Sequence, residues 1–293
     1  MPALLWHSDS ERLLWPASRT VAWVIGGAGL IGTGLVHGLL RAGATVICNS
    51  RHPHRLKALT VELGHPEKLV TLQGSMLADR AEETVHEVME LTAGQLDHVV
   101  THSAVRWWGA HRDGDETNTL STQDMGARGS LLDLTVEEFS ERAGALPQMQ
   151  FAAARLLIPR LQHVPNASYT FVTGGAGEEA RSPLGQINAQ AVWGLAAAMR
   201  SESSQYANNL KVAEVRVGLR FNRTKEERRA EPRDAPLSKD VGRICAGIAA
   251  SPGGDWVNAM HSLDSQDAVT RAKGAFPVLD EPYATFYSPE SLI

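Results

Sequence analysis

A glycine-rich segment directly after the first predicted strand constrains the fold of this chain most. Val21–Ile25 is a short apolar run, and a helical pattern begins a few residues later. Glycines at such a junction allow a tight turn, let the backbone approach a pyrophosphate and let helix and strand pack closely. The phosphates then bind free amides at the helix N-terminus. The segment predicts a dinucleotide site made by Gly26, Gly27, Gly29, Leu30, Ile31 and Gly32; the alternative is a turn kept only for packing.

Strand-like and helix-like segments alternate along the rest of the chain. Such alternation predicts βαβ units with right-handed crossovers, and therefore a Rossmann-type, doubly wound parallel sheet in three layers. Further strands are predicted at Thr45–Cys48, Lys68–Gln73, His98–Thr101, Tyr169–Thr173, Lys211–Val217 and Asp255–Ala259. Helices are predicted at Leu30–Ala42, Pro53–Leu63, Asp79–Thr92, Val136–Ala143, Gln148–Leu161, Asn188–Gln205 and Ser238–Ala250. We expect one domain over residues 20–293 after an N-terminal arm at 1–19, with an insertion at about 109–130 and a crevice loop at about 219–240.

Composition excludes several classes of partner. The net charge of −5 is the wrong sign for a nucleic-acid or anionic-membrane surface. No run approaches the roughly 18 apolar residues of a membrane span, and no secretory signal is visible at the start of the chain. The two cysteines, Cys48 and Cys245, do not form a disulfide framework, which predicts a cytoplasmic or other reducing compartment. The histidines lack a convincing set of zinc ligands, so no metal is predicted.

The residues after the second strand predict the type of cofactor. A free ribose 2′-hydroxyl favours Asp or Glu about 20 residues beyond the first glycine. Here the strand ends Asn49-Ser50-Arg51-His52, and an arginine suits a 2′-phosphate. NADP(H) is therefore favoured over NAD(H), unless Arg51 and Arg55 are only a solvated helix start. Further cofactor contacts are predicted at Ser50, Arg51, Ser75, Ser103 and Ala104.

Three segments resemble the short-chain dehydrogenase/reductase (SDR) family. Leu96-Asp97-His98-Val99-Val100 is similar to its fourth strand, Ala191-Val192-Trp193-Gly194-Leu195 to the segment after its catalytic lysine, and Ser238–Ala250 to its late helix. The resemblance extends from about Arg19 to Ala259. It implies an NAD(P)-dependent oxidoreductase that forms a homodimer through the helices around Gln148–Leu161 and Asn188–Gln205.

The resemblance also implies a catalytic Asn-Ser-Tyr-Lys tetrad, which this chain lacks. Its four positions fall on Leu146, Gly174, Gly185 and Ala189, and no Tyr-x-x-x-Lys occurs in the sequence. A one-residue shift would place the Thr173 hydroxyl at the serine position. Glycine and alanine cannot transfer a proton, so the usual general acid is absent. Loss of the lysine also removes a ribose contact, which predicts a weakly bound or absent cofactor.

Other residues past the predicted strand ends could supply chemistry. His102 is the best candidate proton donor, because an unperturbed imidazole titrates near neutrality. Thr173 and Arg106 complete the predicted catalytic set, and Arg181 and Arg216 could clamp a carboxylate or phosphate. Trp107 or Trp108 could stack on a ring, which together predicts an anionic or aromatic small-molecule substrate. Each of these residues also has a simpler alternative. The arginines could be solvated, the tryptophans could anchor a loop, and the histidine could bond to the backbone.

Three functions fit this pattern. The first is a divergent NADP(H)-dependent oxidoreductase without the tyrosine and lysine relay. The second is a non-catalytic relative, either a cofactor sensor or a structural subunit of a larger assembly. The third is a non-redox lyase, isomerase or cyclase that uses the same cleft.

Overall fold

The strands form one parallel sheet. The computed structural model describes residues 20–77, 79–102, 131–174, 183–203, 205–206, 210–219, 234–251 and 257–275. Within these ranges the strands are β1 (Val21–Ile25), β2 (Thr45–Ser50), β3 (Leu69–Gln73), β4 (His98–Thr101), β5 (Ser168–Gly174), β6 (Lys211–Val217) and β7 (Met260–Leu263). They lie in the order β3-β2-β1-β4-β5-β6-β7, and every pair is parallel. Chain order reverses between β1 and β4, the position at which sheets of this kind bind ligands in a crevice at the carboxyl ends of the strands.

Helices cover both faces of the sheet. The helices are α1 (Leu30–Arg41), α2 (Pro53–Glu62), α3 (Ala81–Leu91), α4 (Val136–Leu161), α5 (Pro183–Ser203), α6 (Asp234–Ala250) and α7 (Gln266–Ala275), with a 3-10 turn at Leu131–Asp133. One apolar core lies under α1, α2, α6 and α7, and a second lies under α3, α4 and α5. Alternate residues of β1 serve the two cores: Trp23 packs in the second and Val24 in the first. The predicted doubly wound, three-layered fold is confirmed.

Glycines bring α1 and α6 into close contact. A side chain at Gly242 would overlap the carbonyl of Gly34, and one at Gly34 would overlap Ser238. The Ser238 hydroxyl donates a hydrogen bond of 2.6 Å to the carbonyl of Leu30, in the first turn of α1. The start of α6 is therefore fixed to the helix that follows the glycine turn.

One helix replaces the two predicted between Val136 and Leu161. Pro147 lies inside α4 and cannot donate a backbone hydrogen bond, which is why the sequence suggested a break. In the preceding turn, the Asn188 side chain donates 3.1 Å to the carbonyl of Arg142. The carbonyl that Pro147 leaves without a helical donor is that of Ala143, one residue further on, and the helix nevertheless continues through the proline. The prediction of two helices was therefore wrong. The N-terminus of α4 carries a capping box between Thr135 and Glu138.

The C-terminal part of the sheet also differs from expectation. The last strand is Met260–Leu263, not Asp255–Ala259, and its residues alternate between exposed and buried, which gives only a weak apolar signal. Helix α6 begins at Asp234, inside the predicted crevice loop, because Pro236 is tolerated in a first turn where its missing N–H has no helical partner. Helix α7 was not predicted. The arm at 1–19, the insertion at 109–130 and residues 220–233 lie outside the described residues, and the single-domain prediction stays a prediction.

Candidate functional site

The glycine turn leaves a helix N-terminus open to an anion. Gly26 has φ +77°, a left-handed conformation that favours glycine. Gly29 is the N-cap of α1 and supplies no side-chain cap, and the first turn holds no acidic residue. The Thr33 amide bonds to the Gly29 carbonyl at 2.8 Å, so the amides before it have no intrahelical acceptor. Backbone N–H groups and the positive end of the helix dipole therefore point to the same place.

The backbone of this turn packs too closely for side chains at Gly27 and Gly32. A Cβ at Gly32 would lie 2.5 Å from the Gly27 backbone, and one at Gly27 would lie 2.7 Å from the Cys48 sulfur. Burial raises the pKa of the Cys48 thiol to about 12, although the neighbouring Gly27 backbone opposes that shift. The thiol is therefore a neutral packing group beneath the turn, not a nucleophile. The glycine pattern has the structural context that the sequence predicted for it.

The end of β2 presents an exposed arginine beside the turn. Ser50 accepts a hydrogen bond of 3.2 Å from the His52 amide, which shapes the exit from the strand. Arg51 is exposed, and its guanidinium group has no ion-pair partner among the residues that the structure describes. Ser75, after β3, accepts from the Leu77 amide at 3.1 Å. The three predicted cofactor residues Ser50, Arg51 and Ser75 thus lie at the carboxyl ends of neighbouring strands, and their contacts with a cofactor stay predictions.

A hydrogen-bonded pair ties these strand ends together. The indole nitrogen of Trp23 donates 3.0 Å to Asn49 Oδ1, and Asn49 Nδ2 donates 3.2 Å to the carbonyl of Gly74. Both side chains are buried. The ends of β1, β2 and β3 are therefore held in fixed relation around the turn, which limits the reorganisation that binding would need.

His102 lies at the end of β4 between two neighbouring strands. Its amide donates 2.9 Å to the carbonyl of Ile25, and its Nδ1 lies 3.5 Å from the carbonyl of Val172. A carbonyl only accepts, so this contact needs the proton on Nδ1 and leaves Nε2 as an acceptor in the neutral ring. Burial lowers the pKa of His102, and the bond to Val172 opposes that shift. The geometry favours an imidazole that accepts a proton, whereas the sequence suggested a donor.

Thr173 uses its hydroxyl proton inside the protein. The hydroxyl donates 2.9 Å to Oε1 of Glu214, a fully buried carboxylate on β6. The same oxygen accepts from Nε and Nη2 of Arg216 at 3.1 and 3.0 Å, and Oε2 accepts from Arg200 at 2.8 Å. The Arg216 guanidinium lies over the Trp193 ring at 3.9 Å from its centroid, and Trp193 donates 3.1 Å to the Gly174 carbonyl. We call Thr173, Trp193, Arg200, Glu214 and Arg216 the Glu214 network.

Sequence reasoning had singled out Thr173 and Arg216 but missed the other members of this network. A signal was present in β6, where Glu214 and Arg216 stand two residues apart in a segment that is apolar except for Lys211 at its start. Alternate strand residues share a face, so the two charges had to meet on one side of the sheet. Arg200 and Trp193 gave no comparable signal, because their roles depend on the packing of α5 against β6.

The four tetrad positions carry no proton donor. Leu146 is buried in the apolar core on α4, and Gly185 and Ala189 lie on α5. At Gly174 an added Cβ would meet no atom of the described residues within 4 Å, so those residues leave space where a serine side chain would point. Asn188 on α5 donates to two carbonyls, while its own buried oxygen accepts no hydrogen bond among the described residues.

Several predicted residues lie outside the described residues. They are Ser103, Ala104, Arg106, Trp107, Trp108 and Arg181. Within the described part of the chain, no group of three or more His, Cys, Asp or Glu side chains is placed to hold a metal ion. No described helix is both long and apolar enough to span a membrane.

The sheet order and the glycine turn define a Rossmann-type α/β fold, and two comparisons with known proteins agree. A family model described as NADP oxidoreductase, coenzyme F420-dependent, matches residues 22–94, which contain β1 to α3. No curated protein matches the sequence. Solved structures that the fold resembles include short-chain dehydrogenases/reductases, and three similar structures are described next.

The Pseudomonas aeruginosa RhlG/NADP active-site complex aligns with a TM-score of 0.65 at 17% identity, over 86% of this chain and 97% of that one. An NADPH-bound short-chain oxidoreductase with an atypical catalytic center, from Pseudomonas aeruginosa PAO1, aligns with a TM-score of 0.60 at 20% identity, over 83% and 95%. A Burkholderia thailandensis oxidoreductase of the same family aligns with a TM-score of 0.61 at 14% identity, over 84% and 92%. The chain therefore has the SDR fold over most of its length.

Proposed function

We propose that this protein binds NADP(H) and is a divergent oxidoreductase of the SDR fold without a tyrosine and lysine proton relay. The observation that carries the proposal is the uncapped N-terminus of α1 beside the exposed Arg51. The turn is crowded at Gly27 and Gly32, and no side chain among the described residues caps the first turn of α1, which suits a pyrophosphate site. NADP and NADPH are bound in two of the similar structures.

Charge favours the phosphorylated cofactor. The first turn of α1 and the end of β2 carry no carboxylate, whereas Arg51 and Arg55 are both exposed there. A guanidinium group can bind a 2′-phosphate through two charge-assisted hydrogen bonds. An NAD(H) site would instead need an acidic side chain for the ribose 2′-hydroxyl. Arg51 is therefore the residue that distinguishes the two cofactors.

The substrate must need little help from a general acid. Bound NADPH would supply a hydride, but Gly185 and Ala189 cannot supply a proton, and the Thr173 hydroxyl already donates to Glu214. His102 is better suited to accept a proton than to give one. A substrate that is already electron-poor, such as an iminium ion or an enone, fits this site better than a simple ketone.

A non-catalytic cofactor-binding protein is the second candidate. It is favoured by the internal use of the polar groups near the crevice, above all the Thr173 hydroxyl. Such a protein would keep the open helix N-terminus of α1 and bind NADPH without turnover. Oxidation of NADPH in the presence of a panel of iminium and enone substrates distinguishes it from the oxidoreductase.

Titration of the purified protein with NADPH and NADH, followed by calorimetry and thermal shift, tests cofactor binding. We expect NADPH to bind more tightly, and Arg51→Gln to weaken NADPH by about tenfold or more while leaving NADH unchanged. Arg271→Gln, an exposed arginine on α7, is the matched control. Absence of binding by either nucleotide at millimolar concentration would exclude both candidates.

We also propose that the protein is a homodimer joined through α4 and α5. Phe151 on α4 is 49% exposed, and α5 exposes a row of small residues. A Cβ at Gly194 would meet no atom within 4 Å, so this face is open to close approach by another helix. The row consists of Ala191, Gly194, Ala197 and Ala198. Sedimentation should show a dimer for the wild type and a monomer for Gly194→Arg; a monomeric wild type contradicts the proposal.

A further inference from the structure

The Glu214 network carries one more positive charge than its buried carboxylate needs. Glu214 is fully buried, and one guanidinium group would balance its charge. Two are present: Arg200 and Arg216 contact different oxygens of the same carboxylate. Their side chains are only 17% and 20% exposed. Among the described residues neither arginine has a second acidic partner, so within the described part of the chain the network carries one surplus positive charge.

Arg216 is held in a fixed orientation. Its Nε and one N–H of Nη2 donate to Glu214, so further N–H groups of the fork remain without an acceptor among the described residues. One face of the guanidinium plane lies against the Trp193 ring. Trp193 is itself fixed by its bond to the Gly174 carbonyl. A guanidinium whose plane is fixed loses little conformational entropy when it binds a planar partner.

After the charge of the Glu214 network and the orientation of Arg216, the third observation is the position of Arg216 in the sheet. It pairs in register with Thr173, one residue before β5 and β6 reach their last pair, Gly174 and Val217. Gly174 is exposed, and no atom of the described residues lies within 4 Å of the place where its Cβ would stand. Ligands of such sheets bind outside the carboxyl ends of the strands. The surplus charge therefore lies where a substrate, and not the phosphates at β1, would be bound.

We propose that Arg216 binds a carboxylate group of the substrate, and that the substrate of this site is a small organic acid. The inference rests on the proposed function, because it assumes that the substrate binds at the ends of β5 and β6 and the cofactor phosphates at β1. One surplus positive charge matches the single charge of a carboxylate, whereas a phosphate carries about −1.5 to −2 at neutral pH. The planar fork also matches a planar carboxylate in a bidentate pair. Glu214 and Trp193 are positioning residues, since they act through Arg216.

Benzoate is the probe for this site, and benzamide is its neutral counterpart. Calorimetry on the full chain, with and without NADPH, should show millimolar binding of benzoate and none of benzamide. Arg216→Gln should weaken benzoate by about tenfold or more, because it removes charge-assisted hydrogen bonds. Arg216→Lys, which still balances Glu214, should also weaken it, because lysine lacks the fork. Arg271→Gln should bind benzoate like the wild type.

The same variants separate this inference from cofactor binding. Arg216→Gln and Arg216→Lys should bind NADPH with unchanged affinity. If benzoate binds through Arg216 but NADPH does not bind, the carboxylate site stands and the proposed function fails. If NADPH binds but benzoate binds equally well to Arg216→Gln, or not at all to the wild type, the carboxylate site is refuted. Inorganic phosphate that binds more tightly than benzoate, and does so through Arg216, also overturns it.

Discussion

The two ends of the crevice satisfy their polar groups in opposite ways. At β1 and β2 the free donors are backbone amides of the α1 first turn, and Arg51 beside them is exposed. At β5 and β6 the polar side chains are buried and bound to one another around Glu214. The first region offers its donors to a ligand, whereas the second uses most of its donors internally and retains one arginine fork.

This difference separates binding from chemistry. A backbone site depends on glycines and a helix start, and it works for any ligand with the right phosphates. Proton transfer needs a side chain with a free proton and a suitable pKa at the reacting atom. The second region holds a hydroxyl whose proton is already donated and an imidazole whose pKa is lowered. Cofactor binding is therefore the stronger part of the proposed function, and the means of substrate activation is the part most open to test.

The largest effect should come from breaking the Glu214 network. Glu214→Leu leaves two guanidinium groups mostly buried without their carboxylate, and we expect a loss of about 3–5 kcal/mol in the free energy of unfolding. Urea denaturation measures it. The triple variant Glu214→Leu, Arg200→Met, Arg216→Met should recover most of that stability, since apolar residues can replace a buried ionic cluster. If the triple variant recovers its stability, the charged residues are not needed for folding, and their presence must have another cause. If it does not recover, the network serves to stabilise the fold.

Acid should destabilise the protein through a third region, at the amino ends of the strands. His98 is buried against the Ser168 hydroxyl, 2.9 Å from Nδ1, and burial together with Lys211 lowers its pKa to about 4. The unfolded chain therefore binds more protons between about pH 4 and 6.5, and stability must fall as pH falls through that window. At about 1.4 kcal/mol per pKa unit, the loss approaches roughly 3 kcal/mol.

Unfolding curves of His98→Asn against pH check this assignment. The variant keeps a hydrogen-bonding group near Ser168 but cannot titrate in this range, so its acid-dependent loss should shrink. His86→Asn, on the exposed surface of α3, is the control and should follow the wild type. An unchanged acid dependence in His98→Asn would contradict the assignment. These unfolding curves also show over which pH range the protein stays folded, and the two crevice regions can be compared only within that range.

A region can be predicted from the sequence when the residues that form it are close together in the chain. It cannot be predicted when those residues meet only through tertiary packing. The glycine turn is local: Gly26 to Gly32 are consecutive, and their context of strand and helix is visible in the same segment. Most of the parallel sheet was equally predictable, because the strands β1 to β6 and the helices between them carry their own apolar patterns; β7 and α7 carry weaker ones and were missed. The Glu214 network is not local, since Arg200, Thr173 and Glu214 meet only after α5 packs on β5 and β6. The continuous helix α4 was missed because a proline within a helical pattern usually marks a break, and Pro147 lies inside α4.

Gly29→Asp should weaken cofactor binding strongly while leaving the fold intact. Gly29 has the extended backbone of an N-cap, and the nearest atom to its added Cβ is 3.9 Å away, so a side chain fits. An aspartate would cap the free amides and stabilise α1 by a few tenths of a kcal/mol. It would also occupy the phosphate site with a negative charge, and NADPH affinity should fall by about 2–3 kcal/mol, or roughly a hundredfold. Gly29→Asn, a neutral cap, should lose less; equal losses would argue against an electrostatic cause.

The smallest effect should come from Thr173→Val, which decides the role of this hydroxyl. In the structure the hydroxyl serves Glu214, so its removal should cost about 1 kcal/mol of stability and leave NADPH affinity unchanged. Thr173→Ser keeps the hydroxyl and should match the wild type in both measurements. If the hydroxyl were catalytic, as the sequence suggested, Thr173→Val would instead lower turnover far more than stability. Because the single proton of the hydroxyl already has an acceptor in Glu214, we expect the stability effect alone.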